Sequence, residues 1–413
     1  MTNSTSTIQD AAQSLPLQVL AQARGLKERM VQIRRYIHSN AELSFEEKGT
    51  AAYAASILKE LGYTVREGVG GTGVVADIGT GSKAIIGLRA DMDGLPIQEE
   101  NAKEYCSKNA GVMHACGHDA HTASVVGAAK ILAELLERKE IDGRFRIILQ
   151  PAEEMVNSDG LSGASLMMNE GCVDGLSALI GTHVFPGIPT GMLGFRDGTF
   201  LAACDSFTIR VIGKGGHGAH PEEAIDAVVL ASKLVQDLQT LISRRKSALE
   251  PAVLTVGGIR SKTFRPNIIS EEVELTGTIR YFRAELSSFF ESEIRKFGEA
   301  LAVQDARMEL DYKRENPPLV NDSILNNRIR GLAVEMLGAD QIIDVPMELG
   351  AEDFSFYTNK VPSLFVVIGA KIEGYDCEFH TARFDINEDA LIYASAILAA
   401  GAISLSQDSG IKS

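Results

Sequence analysis

Cysteine is sparse in this sequence and never stands at CxxC spacing: Cys106, Cys116, Cys172, Cys204 and Cys377 are an odd, widely scattered set. That excludes a disulfide framework, and any functional cysteine has to be argued singly. Positive charge is also short, with 40 Lys and Arg against 55 Asp and Glu and a formal net charge of -15. The one basic run, Arg244-Arg245-Lys246, reads as a solvated helix face, so no nucleic-acid partner is expected. No stretch approaches the roughly 18 continuous apolar residues of a membrane span. The polar start MTNSTSTIQD lacks the charged-then-apolar order of a signal peptide. No membrane association and a cytoplasmic location follow as expectations. Solenoid-period repeats and low-complexity tracts are absent too.

What remains is an ordinary globular composition, 45% apolar and 23% charged over 413 residues. At about 150 residues per domain the chain has room for two. Apolar residues recur at helical spacing from Leu15 to Leu61, broken near His38 to Phe45, which predicts two helices with YIHSNAELSFEE between them. The dozen residues before them are expected to fray. Three β-prone runs follow, Tyr63 to Glu67, Gly73 to Ile78 and Lys83 to Arg89, the last ending at Ala90-Asp91-Met92-Asp93. A helix is expected from MHACGHDAH through Leu135, then strands over Arg144 to Leu149 and Leu176 to Gly181.

Strands alternating with helices predict an α/β domain with a mostly parallel central sheet. Ligands of such sheets gather beyond the carboxyl ends of the strands, where Asp91, Glu153 and His183 fall. From about Cys204 to Asn316 the pattern changes to a βαββα unit, an inserted α+β domain. Ser363 to Ile368 and a closing helix over Ala390 to Leu405 return to the first pattern. The expected division is a discontinuous catalytic domain of residues 1–203 and 317–413 around a smaller domain of residues 204–316.

His114, Cys116, His118, Asp119 and His121 crowd into one short segment. Imidazole, thiolate and carboxylate are the common ligands of first-row metals, and Cys116 and His118 at a helix entry can converge on one ion. The competing reading is a buried, inert cysteine among polar core histidines. Glu153-Glu154 at a strand end tips the balance, because one carboxylate can ligate while its neighbour activates water. Gly215-Gly216-His217-Gly218-Ala219-His220-Pro221 presents His217 from the smaller domain on a tight glycine-rich turn. His380, in Glu378-Phe379-His380-Thr381, is a lone loop histidine.

Taken in order, RADMDGLP, MHACGHDAH, PAEE, His183, GKGGHGAHP, GAEDFSFY and FHTARF resemble the amidohydrolase branch of the peptidase M20 family, the aminoacylase and carboxypeptidase family of two-metal peptidases. The resemblance covers nearly the whole chain. It implies a metal-dependent amidohydrolase acting on a small N-acyl or N-aroyl amino acid, with metal-activated water and a glutamate base. By position it implies Cys116, His118, Glu154, His183 and His380 as ligands of one or two divalent ions (manganese, zinc or cobalt), with Cys116 bridging. It implies Glu153 as general base, and Asn267 and Arg280 as substrate-binding residues. The smaller domain becomes a lid that dimerises, so that His217 reaches a partner's active site in a homodimer or higher homo-oligomer. Arg280 suits a substrate carboxylate through a bidentate pair. Asp91 and Asp93 are expected to orient ligands rather than bind metal.

Two segments depart from the family pattern, Met155-Val156-Asn157-Ser158-Asp159 and Pro221-Glu222-Glu223, and both are expected to touch the pocket. They leave open hydrolytic removal of an amino group from a small aromatic amine. A catalytically silent scaffold on the same fold and a cysteine enzyme with Cys116 as nucleophile stay open as well.

Overall fold

The computed structural model describes residues 14–81 and 83–407. The expectation of a frayed N-terminal dozen falls outside them. The chain divides into two compact units. One holds the residues up to Asp197, Asn321–Val345 and those from Lys360 on, and the other holds Gly198–Val320 with Pro346–Asn359.

The first unit is built on an eight-stranded mixed sheet. Its centre is four parallel neighbours in the order Arg144–Gln150, Ile85–Asp91, Leu176–Pro189 and Ser363–Lys371. Antiparallel pairing is confined to the flanks. Thr64–Val69 and Gly73–Ile78 form a hairpin whose turn glycines Gly70 and Gly71 take positive φ, and Gly73–Ile78 runs antiparallel to Arg144–Gln150. The central strands read as continuous apolar runs because both faces are covered: every residue of Ile85–Asp91 is buried. The helices His118–Glu137 and Ala390–Ser406 pack together over this sheet. Ala390–Ser406 is apolar all round, and among its residues only Tyr393 and Ser404 escape full burial. No helix among the described residues is long and apolar enough to cross a membrane.

Three details differ from the sequence expectation. The region Leu15 to Leu61 holds three helices, Leu15–Gly25, Lys27–Ser39 and Lys48–Glu60, because the backbone is re-aimed at Leu26, directly after Gly25. The strand expected to stop at Gly181 runs on to Pro189, since Ser363–Lys371 continues to pair with it after Ile85–Asp91 has ended. The main sheet of the second unit holds one strand more than expected.

That unit is a four-stranded antiparallel sheet in the order Ala252–Ser261, Glu272–Tyr281, Ala203–Ile212, Arg307–Asn316. Arg307–Asn316 escaped notice because its outward positions carry charge, while only Met308, Leu310 and Tyr312 lean on the core. The helix Ala227–Thr240 is capped by Asp226, whose Oδ1 accepts from Val228 N at 2.9 Å and Val229 N at 3.3 Å. Pro346–Asn359 joins this unit by backbone hydrogen bonds, Ala202 N donating to Glu348 O and Gly350 O, and Glu348 N to Phe200 O.

Between the helix Lys27–Ser39 and the start of His118–Glu137 lies a buried charge network. Arg34 is fully buried and donates to Asp119 Oδ2 at 2.9 Å, Asp385 Oδ1 at 3.0 Å and Glu388 Oε1 at 3.2 Å. His38 Nδ1 lies 2.8 Å from Asp119 Oδ2 and its Nε2 3.3 Å from Glu99 Oε1. Burial works against a charged His38, yet the Asp119 and Glu99 carboxylates outweigh it and lift its pKa to about 9. A raised pKa in the folded state stabilises the fold fully below the unfolded value of about 6.5 and ceases to do so as pH rises through about 9. His38→Gln should therefore lower the thermal midpoint more at pH 6 than at pH 9.5. Equal losses at both pH values, measured by thermal unfolding, would remove the charged His38 from the account.

Candidate metal centre

The centre begins where the long helix starts. Gly117, just before His118–Glu137, has φ +99°, and a Cβ there would lie 2.4 Å from Val184 Cγ2. Only glycine fits, and the tight turn sets Cys116 and His118 on either side of it.

The histidine tautomers are fixed from outside. His118 Nδ1 donates to Asp93, with the carbonyl oxygen at 2.9 Å and Oδ1 at 3.1 Å, which leaves its Nε2 buried with no hydrogen-bond partner. His183 Nδ1 donates to Val184 O at 2.8 Å, so its Nε2 lone pair faces Cys116 Sγ at 3.4 Å. His121 is engaged on both sides: Nδ1 donates to Asp91 Oδ1 at 2.6 Å and Nε2 accepts from Val184 N at 3.0 Å. Although His121 lies close to Asp91 and His118, it has no lone pair to offer and acts as a brace. Asp91 is likewise engaged, its Oδ2 accepting from Arg89 Nη1 at 2.7 Å and its carbonyl from Thr122 Oγ1 at 2.7 Å.

Two left-handed residues bring in the remaining donors. Ala152, with φ +45°, turns the chain out of Arg144–Gln150 into Glu153-Glu154, and Glu154 N donates to Asp93 Oδ2 at 3.0 Å. His380, with φ +59°, donates its amide to Ala115 O at 2.9 Å, which seats its loop beside Cys116. Glu154 Oε1 is 3.1 Å from His380 Nε2 and 3.9 Å from His118 Nε2. Non-glycine residues in this region of φ, ψ cost about 1–3 kcal/mol and cluster at functional sites.

The donor atoms converge in three overlapping groups, Cys116–His118–His183, Cys116–Glu154–His380 and His118–Glu153–Glu154, with all atoms of a group within 4.8 Å of one another. Cys116 belongs to two of them. Burial pushes its thiol up to about 12, so a thiolate at neutral pH needs a cation beside it. The orphaned His118 Nε2, the inward lone pair of His183, the thiol and the carboxylates are a donor set that fits divalent metal ions.

All five residues expected as ligands, and Glu153, thus meet in the first unit. His114 does not join them: it is buried, neither ring nitrogen has a hydrogen-bond partner, and burial lowers its pKa to about 4. Aromatic rings wall one side, Phe185 and Phe379 each 5.4 Å from the His183 ring. Met155 and Val156, in the segment that departs from the family pattern, are exposed.

In the second unit, His217 sits in a two-stranded ribbon opposite Ile268, and Gly218 N donates to Asn267 O at 2.9 Å. His217 and Asn267 are therefore neighbours, both exposed. Arg280 is not with them. It stands on Glu272–Tyr281 opposite Cys204 and Val253. The ribbon adjoins the Glu272 end of that strand through Gly213 N to Glu271 O. Eight residue steps along the strand separate Glu272 from Arg280, roughly 26 Å.

Sequence reasoning did not find Glu47, whose Oε1 accepts from Ala152 N at 2.8 Å, Ser44, whose Oγ donates to Asp93 Oδ2 at 2.6 Å, or the double engagement of His121. Each acts through contacts across tens of residues in sequence, and no local pattern marks them.

Comparison with known proteins identifies the family. The model of peptidase family M20/M25/M40 matches residues 87–403. The N-acetyl-L-cysteine deacetylase of Bacillus subtilis is 37% identical over 90% of this chain and 87% of its own length. The Arabidopsis thaliana IAA-amino acid hydrolase ILR1-like 2 is 39% identical over 91% of this chain and 84% of its own. Among solved structures, a Bacillus subtilis dinuclear metal-binding peptidase of the M20 family superposes with a TM-score of 0.80 at 32% identity, covering 92% of this chain and 98% of that one. The chain belongs to peptidase family M20/M25/M40 and is a metal-dependent hydrolase.

Proposed function

We propose that the protein hydrolyses the amide bond of a small N-acyl or N-aroyl amino acid, with Glu153 as general base and with Cys116, His118, Glu154, His183 and His380 holding two divalent ions. The observation that carries this reading is Cys116 shared between two donor triads, with the Glu153 carboxylate alongside His118 and Glu154. Manganese, zinc and cobalt all suit thiolate, imidazole and carboxylate donors. When bound, such ions lower the pKa of water and polarise an amide carbonyl. Glu153 then takes the proton of the attacking water and delivers it to the leaving amine, so no covalent enzyme intermediate is needed.

The first unit is the catalytic domain in this reading, and the second is the lid and dimerisation domain. Arg280 binds the substrate carboxylate, and His217 with Asn267 steadies the carbonyl oxygen. The separation along one strand between Arg280 and the His217 ribbon supports a homodimer, because a small substrate cannot span both within one lid. In this reading a second copy brings one of them. The cytoplasmic location expected from sequence belongs to this proposal as well.

The first test is hydrolysis of N-acetyl, N-benzoyl and indole-acetyl amino acids and of substituted aminobenzoates by protein stripped of metal and reloaded with manganese, zinc or cobalt. Metal-restored release of an amino acid is expected. Metal-restored loss of an aromatic amino group would replace the amidase with an aminohydrolase, activity that survives the chelator would point to a Cys116 nucleophile, and silence with no metal bound would leave a scaffold.

Glu153→Gln should lower kcat by about 10²–10⁴-fold with metal content unchanged. Loss of metal instead would mean that the two glutamates exchange roles. Cys116→Ala should lose metal, measured by elemental analysis. Arg280→Ala should raise KM for carboxylate-bearing substrates roughly tenfold or more, and an unchanged KM would assign it a structural role. Mixing inactive His217→Ala with inactive Glu153→Gln should restore up to about a quarter of wild-type activity if His217 acts across a twofold interface, whereas a cis-acting His217 restores none.

A further inference from the structure

The turn that leads into Glu153 and Glu154 is contacted by a residue far away in sequence. Glu47 stands at the start of the helix Lys48–Glu60, yet its side chain makes no capping bond there. It is fully buried, and it reaches towards the sheet. Its Oε1 accepts from Phe45 N at 2.9 Å and Ala152 N at 2.8 Å, and its Oε2 accepts from Thr72 Oγ1 at 2.5 Å. Two residues on, Glu154 N is held by Asp93 Oδ2, which also accepts from Ser44 Oγ at 2.6 Å. The amides on either side of Glu153 are thus each tied to a buried carboxylate.

Between these ties the backbone is in an unfavourable state. Ala152 has φ +45° and is itself buried. An alanine in this region reverts to a right-handed or extended conformation unless its surroundings hold it. Its carbonyl is also fixed, accepting from Gly163 N at 2.9 Å, and Gly163 lies so close that a Cβ would be 1.6 Å from Pro151 O. Without Glu47, the amide of Ala152 would be a buried donor lacking its acceptor, and the turn would lose the contact that favours the left-handed form.

We propose that Glu47 is a positioning residue for catalysis: its carboxylate holds Ala152 in the left-handed conformation, which aims Glu153 at the reacting centre and Glu154 at the metal. The inference rests on the reading of Glu153 as base and Glu154 as ligand. It also makes Leu43–Glu47 part of the active-site frame, since Leu43 bridges to Gly94 and Gly94 N donates to Glu42 O at 2.7 Å. One short loop therefore secures both strand ends that carry acidic residues of the site.

The test compares Glu47→Ala, Glu47→Asp, Glu47→Gln and Glu47→Ala/Ala152→Gly with the wild type. All are loaded with manganese and assayed on the fastest N-acyl amino acid of the panel above, with metal content and folded fraction measured for each. Glu47→Asp retains a carboxylate but draws it back from Ala152 N, and it carries the test if Glu47→Ala does not fold. Glu47→Ala and Glu47→Asp should lose kcat by about 100-fold with KM little changed. Glu47→Gln keeps an oxygen for both amides and a donor that the Thr72 hydroxyl can accept, so it should stay within about threefold of wild type. Ala152→Gly in the Glu47→Ala background should recover about fivefold or more, because glycine adopts positive φ freely. Wild-type kcat in folded Glu47→Asp would overturn the proposal, as would a loss in kcat that neither glutamine nor Ala152→Gly restores. Glu153→Gln run in parallel separates the two levels: if it retains turnover, the underlying reading fails, and if it is inactive while Glu47→Asp is normal, only the role of Glu47 fails.

Discussion

The candidate metal centre depends on one constraint, that His118 and His183 each have the outer ring nitrogen fixed by a protein oxygen. Asp93 and Val184 O accept the Nδ1 protons of His118 and His183, so both rings present Nε2 inward without choosing among tautomers. An Nε2 buried without a partner costs about 1–3 kcal/mol, which the fold offsets elsewhere and a bound cation recovers. His121 shows the opposite arrangement in the same helix turn. With both nitrogens engaged, it stiffens Asp91 and Val184 rather than donating.

Around this centre the charges are layered. Asp91 and Asp93 stand behind the histidines, and Arg89 stands behind Asp91. Asp119, next to His118 in sequence, turns the other way into the network of Arg34, His38 and Glu99. Burial opposes the charge on Asp119, but Arg34 and His38 hold its carboxyl far below the usual range. The start of the long helix is thereby pinned from below by buried ion pairs and from above by the histidine contacts. Removing one partner of such a pair leaves an uncompensated buried charge, costing about 3–5 kcal/mol. The rigidity of the donor set comes from that layering as much as from the sheet.

Much of this was legible from the sequence because its signals are local. MHACGHDAH and PAEE place donors within a few residues of a helix start and a strand end, and strand-helix alternation predicts the parallel centre onto whose edge they fall. His183 was located by the same rule, although it lies within a longer strand, opposite Val367 and just beyond the last paired residue of Ile85–Asp91. What stayed hidden is carried by long-range contacts or by weak amphipathicity. Glu47 meets Ala152 across 105 residues, and in sequence it is one more glutamate in an acidic helix start. Arg307–Asn316 is a strand whose exposed face is mostly charged, so its alternation reads as a solvated stretch.

The central claim, two ions sharing Cys116, is tested most directly by anomalous diffraction from crystals of the manganese- or zinc-loaded protein at the metal's absorption edge. Two peaks are predicted, one among Cys116, His118 and His183 and one among Cys116, Glu154 and His380. A single peak among Asp91, His118 and His121, or no peak near Cys116, would contradict it.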